Sequence, residues 1–368
     1  MREAADAGGR IMPRGSGQWW PGVPAGAHAL AGADTRVTRV DAPDHVATAG
    51  AGCTLADLDA AVAAQGAFLA LDPPGPATRT LGGALAAGGA GPLAAGFGPP
   101  RDQVLGMTFL AGNGVVVRTG GRVVKNVAGF DLAKVVIGSH GAFGVITDVH
   151  VRLRARPAAD RTRAWAGTAG AIADGVRRSM AAGIAPSALE VLSPEFAAAL
   201  GGAQTWTLAV RAMGTAAGAD EELGATAAAL RGTSCAETAP ATDLWTRWRE
   251  IVGAWPVILR IGADPATWPD ALALVERHGV RPIGASITVP RGTVRVGLAR
   301  VTAVAVAAIR LDAAGRGWPV TLERADAATR ESVGLWGALP PGVDGLVRDL
   351  RATFDPLHLF AVPLVAAA

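Results

Sequence analysis

The order of elements around Gly138, Gly141 and Gly144, in IGSHGAFGVITDV (137–149), constrains this chain more than any other feature. The glycines follow a short apolar run, LAKVVI (132–137), that reads as a helix, and they precede a strand. A Rossmann dinucleotide fold needs the opposite order of strand, glycine turn and helix. A nicotinamide-type Rossmann domain is therefore disfavoured. The chain also lacks GxxxxGK[ST], HExxH and GxSxG, which removes the phosphate-loop, zincin and hydrolase-elbow chemistries.

Two further glycine patches lie upstream. In IMPRGSGQ (11–18) an apolar strand runs into Arg14, Gly15, Ser16, Gly17 and Gln18. Successive backbone N–H groups there suit either a pyrophosphate nest or an ordinary turn. The stretch PPGPATRTLGGALAAGGAGP (73–92) reads as too rich in glycine and proline for a packed helix and too apolar for a free linker. Gly82, Gly83, Gly88 and Gly89 leave space for a flat ligand against backbone, or mark a flexible loop. In the third patch Asp131 is placed to cap LAKVVI and Gly138 to end it. Glycines 138, 141 and 144 then let the chain pass close to something thin, with Val145 and Ile146 flanking it. Lys125 and Lys134 are the only lysines. Lys134 reads as a solvated helix residue, and Lys125 with Asn126 as groups near a phosphate or an anionic cofactor, or else as solvated too.

With 368 residues, 18% of them charged, the chain suffices for two soluble globular domains. Up to about residue 155 it reads as short strands and glycine turns. Thr54 caps a clear helix, LADLDAAVAAQG; VLGMTFL (104–110) and VVVR (115–118) form a hairpin; VITDVHVRL (145–153) alternates, with His150 on a solvated side. The charged, Pro-containing stretch 154–164 is the linker candidate. Beyond it, strands at 205–211, 257–262, 283–289, 293–299 and 319–324 alternate with helices at 216–231, 267–279 and 302–313, which predicts an antiparallel sheet with helices on one face.

The net charge is only +3 and the arginines are scattered, so no nucleic-acid surface is expected. No apolar run reaches the roughly 18 residues of a membrane span, and MREAADAGGR lacks a signal-peptide core. A cytoplasmic protein without a transmembrane segment is expected. Cys53 and Cys235 lie far apart with no CxxC, which points to reduced structural thiols and no zinc site. No other cluster suggests a metal, so redox chemistry requires a borrowed cofactor.

Taken together and in order, RGSGQ, TLGGALAAGGAGP, GPPRDQVLG and GGRVVKNVAGFDLAKVVIGSHGAFGVITDV resemble the FAD-binding (E) subunit of bacterial glycolate oxidase, in the vanillyl-alcohol-oxidase flavoprotein superfamily with its PCMH-type FAD-binding domain. Weaker similarity continues through TLAVR, the WTRWRE region and RATFDPLHLF. The resemblance implies an α+β fold: a two-subdomain FAD-binding domain over 1–155, then an α+β cap domain with an antiparallel sheet over 156–368. It implies that Arg14, Gly15, Ser16, Gly17 and Gln18 hold the pyrophosphate, that Thr80, Gly82, Gly83, Gly88 and Gly89 line flavin and ribityl, and that Gly141, Gly144, Val145 and Ile146 contact the adenosine end. It further implies a complex with a larger FAD-binding subunit and an iron–sulfur subunit, acting on a small hydroxy acid, peripheral to the inner face of the membrane through those partners.

Four departures qualify the resemblance. Gln18 stands where covalent flavoproteins of this superfamily often carry a histidine, so FAD is expected to be non-covalent. The chain starts with only the tail of a helix before its first strand. The cap region ERADAATRES (323–332) has no histidine where the compared family has one, and Phe360 to Pro363 replaces the family's NPG ending. Oxidising a hydroxy acid calls for a base and a cation. Arg260, Arg295, Arg324 and Glu323 are available, but none is compelling, while His278 and His358 read as packing or solvent residues; the catalytic residues stay unassigned. That imbalance favours an electron-passing subunit over a self-sufficient hydroxy acid dehydrogenase or a scaffold that has lost FAD.

Overall fold

The computed structural model describes residues 8–123 and 130–365. The expectations for Lys125 and Asn126, and for the helix tail at Met1, lie outside the described residues. Two compact units emerge: one comprises Met1–Gly89, Pro99–Arg156 and Asp326–Ala368, the other Ala90–Gly98 and Pro157–Ala325. The crossing at Arg156 adjoins the expected 155/156 division. The C-terminal stretch differs from expectation, because residues from Asp326 onward belong to the first unit.

The first unit is built on a five-stranded antiparallel sheet in the order Val37–Asp41, Val46–Gly50, Val145–Arg152, Val104–Leu110, Val116–Gly120. Its last two strands are the expected hairpin. Beside it, Arg10–Pro13 pairs in parallel with Ala27–Leu30. The same short strand is gripped by the chain's end: Ile11 N–H donates to Leu359 O, and Ala361 N–H donates to Ile11 O, both at 2.8 Å. Thr54 caps Leu55–Ala63 as expected, accepting from Asp57 N–H, and Leu55, Leu58 and Val62 are buried.

Three local expectations are corrected. The glycine-rich second patch does contain a packed helix, Leu81–Ala87, because the Thr80 hydroxyl accepts from Gly83 N–H and left-handed Gly88 closes the last turn. Asp131 does not cap the third patch: the helix is a single turn, Ala133–Val136, behind Leu132, and Asp131 instead pairs with Lys134 at 3.0 Å. His150 is half-buried, its Nδ1 3.0 Å from Thr48 Oγ1, and burial pulls its pKa below the ordinary histidine value.

The second unit is an eight-stranded antiparallel sheet in the order Ala236–Thr238, Ala159–Gly167, Trp206–Gly214, Ala188–Leu192, Pro282–Thr288, Thr293–Leu298, Val257–Gly262, Val320–Arg324. The expected linker at 154–164 is therefore mostly strand. Arg154–Ala155 pairs with Ala67–Phe68, and Ala159–Gly167 pairs along its whole length with Trp206–Gly214. Its charges concealed the pattern because they are satisfied across strands, as Asp160 is by Arg211 at 2.8 Å. The helices Ala169–Ala181, Ala216–Leu230, Trp268–Arg277 and Ala303–Ala314 supply the aliphatic cover.

Candidate functional site

The three glycine patches converge within the first unit. Pro13 delivers the chain into the loop from Arg14 to Gly17, and Arg14 N–H is held by Leu30 O at 2.8 Å. Two glycines here have no room for a side chain. A Cβ on Gly15 would stand 2.0 Å from Thr80 Oγ1, and one on Gly83 would stand 2.8 Å from the same oxygen. The loop therefore lies directly on the first turn of Leu81–Ala87, an approach that only glycine permits. Gly17 is left-handed, and the Arg14 side chain folds over it to donate to Gly17 O at 3.3 Å.

The third patch runs along the other end of the same helix. Gly138 N–H donates to Leu85 O at 3.1 Å and His140 N–H to Ala86 O at 2.8 Å. A Cβ on Gly88 would meet Gly138 Cα at 2.8 Å, so the close approach of Gly138 requires glycine at position 88. Beyond them Gly141 lies against Pro13, and Val145–Arg152 begins.

Between these segments is an apolar cavity of about 390 Å³. Arg14, Gly15, Ser16, Thr80, Gly82, Gly83, Gly141, Gly144, Val145 and Ile146 line it, together with the backbone-rich wall Leu30–Ala33 and Ala51–Gly52. Gly17 instead lines an adjoining chamber of about 70 Å³, walled by Trp19, Trp20, Arg79, Ala87 and His140. Gln18, Gly88 and Gly89 line neither chamber. The Gln18 amide is tied to Thr78 Oγ1 at 2.9 Å, and Gly88 is spent on packing. Sequence reading missed Trp19, Trp20, Arg79 and His140. The signal available was a Trp-Trp pair directly after the glycine loop and the one bulky residue between Gly138 and Gly141.

Electrostatics around the cavity are mild. Arg36 holds the Asp34 carboxyl down to about 2, which fixes a charge pair beside the wall at Ala33 and Thr35. Cys53, below the helix, is fully buried, and desolvation pushes its thiol up to about 11; it is a packing residue rather than a nucleophile. Among the described residues no cluster of three His, Cys, Asp or Glu side chains could hold a metal, and no helix is long and apolar enough to cross a membrane.

In the second unit, the candidate cations form an internal row. Ser286, Arg295, Arg260 and Thr321 are successive cross-strand partners, so they share one face. Arg295 Nε lies 2.8 Å from Glu323 Oε2 with both side chains almost fully buried, and Arg260 stands 3.8 Å from the same carboxylate. Arg324 donates to Gly253 O. Trp255 seals the face nearby, since a Cβ on Gly284 or Gly297 would run into its indole. Arg295, Glu323 and Arg324 are thus framework groups, which corrects their candidacy as substrate cation and base. Glu190, on the same sheet, accepts from Ser286 Oγ at 2.6 Å.

The first 120 residues match the model of a family described as FAD binding domain. Glycolate oxidase subunit GlcE of Escherichia coli is 39% identical over 124 residues, which cover 33% of this chain and 35% of that protein. Glycolate oxidase subunit GlcD of Bacillus subtilis is 33% identical over 187 residues, 50% of this chain and 40% of that one. The matches thus span about a third to two fifths of those relatives' own lengths. Among solved structures, a 4-ethylphenol oxidase from Gulosibacter chungangensis shares the fold with a TM-score of 0.71 at 15% identity, over 98% of this chain and 85% of that one. The expected α+β architecture is borne out.

Proposed function

We propose, for a chain whose first 120 residues are an FAD binding domain homologous to glycolate oxidase subunits, that it is an FAD-dependent oxidoreductase subunit of a glycolate-oxidase-like complex. The observation that carries this is the glycine cradle: Gly15 packs on Thr80 Oγ1 beside Gly83, which lays the loop from Arg14 to Gly17 against the first turn of Leu81–Ala87 on the wall of the larger cavity, where a diphosphate would lie. Arg14 to Ser16 would hold the diphosphate, with Thr80, Gly82 and Gly83 beneath it. Gly141, Gly144, Val145 and Ile146 would flank the adenosine end. When bound, FAD supplies the hydride acceptor for oxidation of a CH–OH group. The residues of this chain bind and orient it and wall it from water. Gln18, held by Thr78, offers no nucleophile for a covalent flavin link, so the cofactor is non-covalent.

The accessory role is favoured by the second unit. Its Arg295 and Glu323 are committed to each other and its Arg324 to Gly253 O, which leaves Arg260 alone, of the four candidate groups, for a hydroxy acid. The reading is therefore a cytoplasmic subunit, peripheral to the membrane only through partners: a larger FAD-binding subunit and an iron–sulfur subunit. The absorption spectrum of the purified chain, followed by acid precipitation, tests the cofactor assignment. A flavin spectrum and FAD released into the supernatant are expected. Yellow colour retained by the pellet would overturn non-covalent binding, and a colourless protein that fails to take up added FAD would overturn the assignment itself. Turnover of a small hydroxy acid by the isolated chain with an artificial acceptor would favour a self-sufficient dehydrogenase instead.

A further inference from the structure

The cleft has two chambers that meet along Arg14, Gly15, Ser16, Thr80 and Gly83, with Pro13, Ala86 and His140 also lining both. A dinucleotide whose diphosphate sits where they meet sends one half into each. The chambers are unequal: about 390 Å³ on the side of Val145 and Ile146, and about 70 Å³ on the side of Trp19 and Trp20. The larger lies within the usual range of ligand pockets. The smaller has room for a few waters and none for a three-ring heterocycle.

What fills the smaller side is aromatic. The Trp20 ring stacks on His140, centroids 4.6 Å apart and planes 8° from parallel. The Arg330 guanidinium lies over the same indole at 4.6 Å and is itself anchored by both Nη atoms to Pro21 O at 3.2 Å. Beside them Arg79 covers Trp19 at 4.5 Å. His140 is held in the left-handed region, φ +56°, a conformation that costs a non-glycine residue free energy and persists where its surroundings impose it. A flat, electron-poor ring is the ligand class for which a tryptophan face and an imidazole face exchange their mutual stacking at little cost.

We infer that Trp20 plugs the ring end of this cleft, so that the chain engages FAD first through its adenosine diphosphate half and admits the flavin ring only when Trp20 leaves His140. The inference rests on the FAD reading above and adds an order of binding and a residue that controls it.

The test uses the full chain freed of flavin, titrated calorimetrically with ADP and with FAD, for the wild type, Trp20→Ala and His140→Asn. Asparagine tolerates the left-handed backbone and removes the stacking ring without touching Trp20. Expected are ADP binding unchanged within about twofold in Trp20→Ala, whose ring lines only the smaller chamber, and FAD binding about two- to tenfold tighter in both variants, the worth of one aromatic stack. In wild type, the observed rate of FAD binding should level off with FAD concentration at the rate of plug opening. Weaker FAD binding in both variants would make Trp20 a wall of the ring site and overturn the plug. FAD binding by a wild-type chain that ignores ADP would overturn the adenosine-first order. A folded wild type that binds neither ligand would sink the FAD reading itself, and the plug with it.

Discussion

Glu323 and Arg295 lie 2.8 Å apart on the two strands that flank Val257–Gly262 in the second unit's sheet, with no more than 3% of either side chain exposed. A buried pair of this kind is expensive to break from one side, because the remaining charge keeps its desolvation cost: about 3–5 kcal/mol. Glu323→Gln and Arg295→Met should each lower the unfolding free energy from chemical denaturation by that amount, while the double replacement by apolar residues of similar volume recovers much of it. If Arg295→Met left stability intact and raised KM for a hydroxy acid, the arginine would be a substrate group after all.

Gly15 and Gly88 should separate cofactor binding from stability. A methyl on Gly15 would press on Thr80 Oγ1 at 2.0 Å, so Gly15→Ala displaces the loop from the helix. FAD affinity should fall more than about tenfold, equivalent to about 1.4 kcal/mol. Gly88 is left-handed at φ +63° and would meet Gly138 backbone at 2.8 Å. Gly88→Ala should cost about 1–2 kcal/mol of stability from the backbone alone. Fluorescence titration with FAD and urea unfolding of both variants check the contrast; equal losses of affinity would return Gly88 to the cofactor wall.

Much of this site was legible because its determinants are local. Glycine loops, the Thr54 cap and the hairpin at 104–120 announce themselves within a dozen residues, and their joint order points to the family. The misread features depend on distance. Leu81–Ala87 looks too glycine-rich for a helix until Gly82 is seen against Ala51, where a Cβ would stand 2.6 Å from the alanine methyl. The strand Ala159–Gly167 looked like a linker because its charges are answered by Arg211, Glu237 and Asp220 from other elements. The pairing of Trp20 with His140 joins residues 120 positions apart in the chain, and no period or spacing encodes it.

The C-terminal segment should be needed for the cofactor loop. Asp355 is fully buried and accepts from Leu359 N–H at 2.7 Å and Phe360 N–H at 3.0 Å. Those residues in turn grip Ile11, three positions before Arg14. Asp355→Ala leaves two buried donors unmet, at about 1–3 kcal/mol for each. Amide exchange of Arg10–Pro13 should accelerate and FAD affinity should drop. Unchanged protection of Ile11 in the variant would show that Ala27–Leu30 alone holds the strand.

His150 gives the fold an acid-sensitive point. Its pKa is lowered, first by burial and then by the nearby Arg122, so the folded state prefers the neutral ring while the unfolded chain protonates near 6.5. Below that value the unfolded state binds more protons, and stability falls as pH drops from about 6.5 through the lowered folded value. Above it the contribution is complete and flat. His150→Gln can keep a hydrogen bond to Thr48 without the titration, so its Tm should decline less than that of the wild type between pH 7 and pH 5. Parallel Tm curves for the two proteins would mean that other groups carry the acid response.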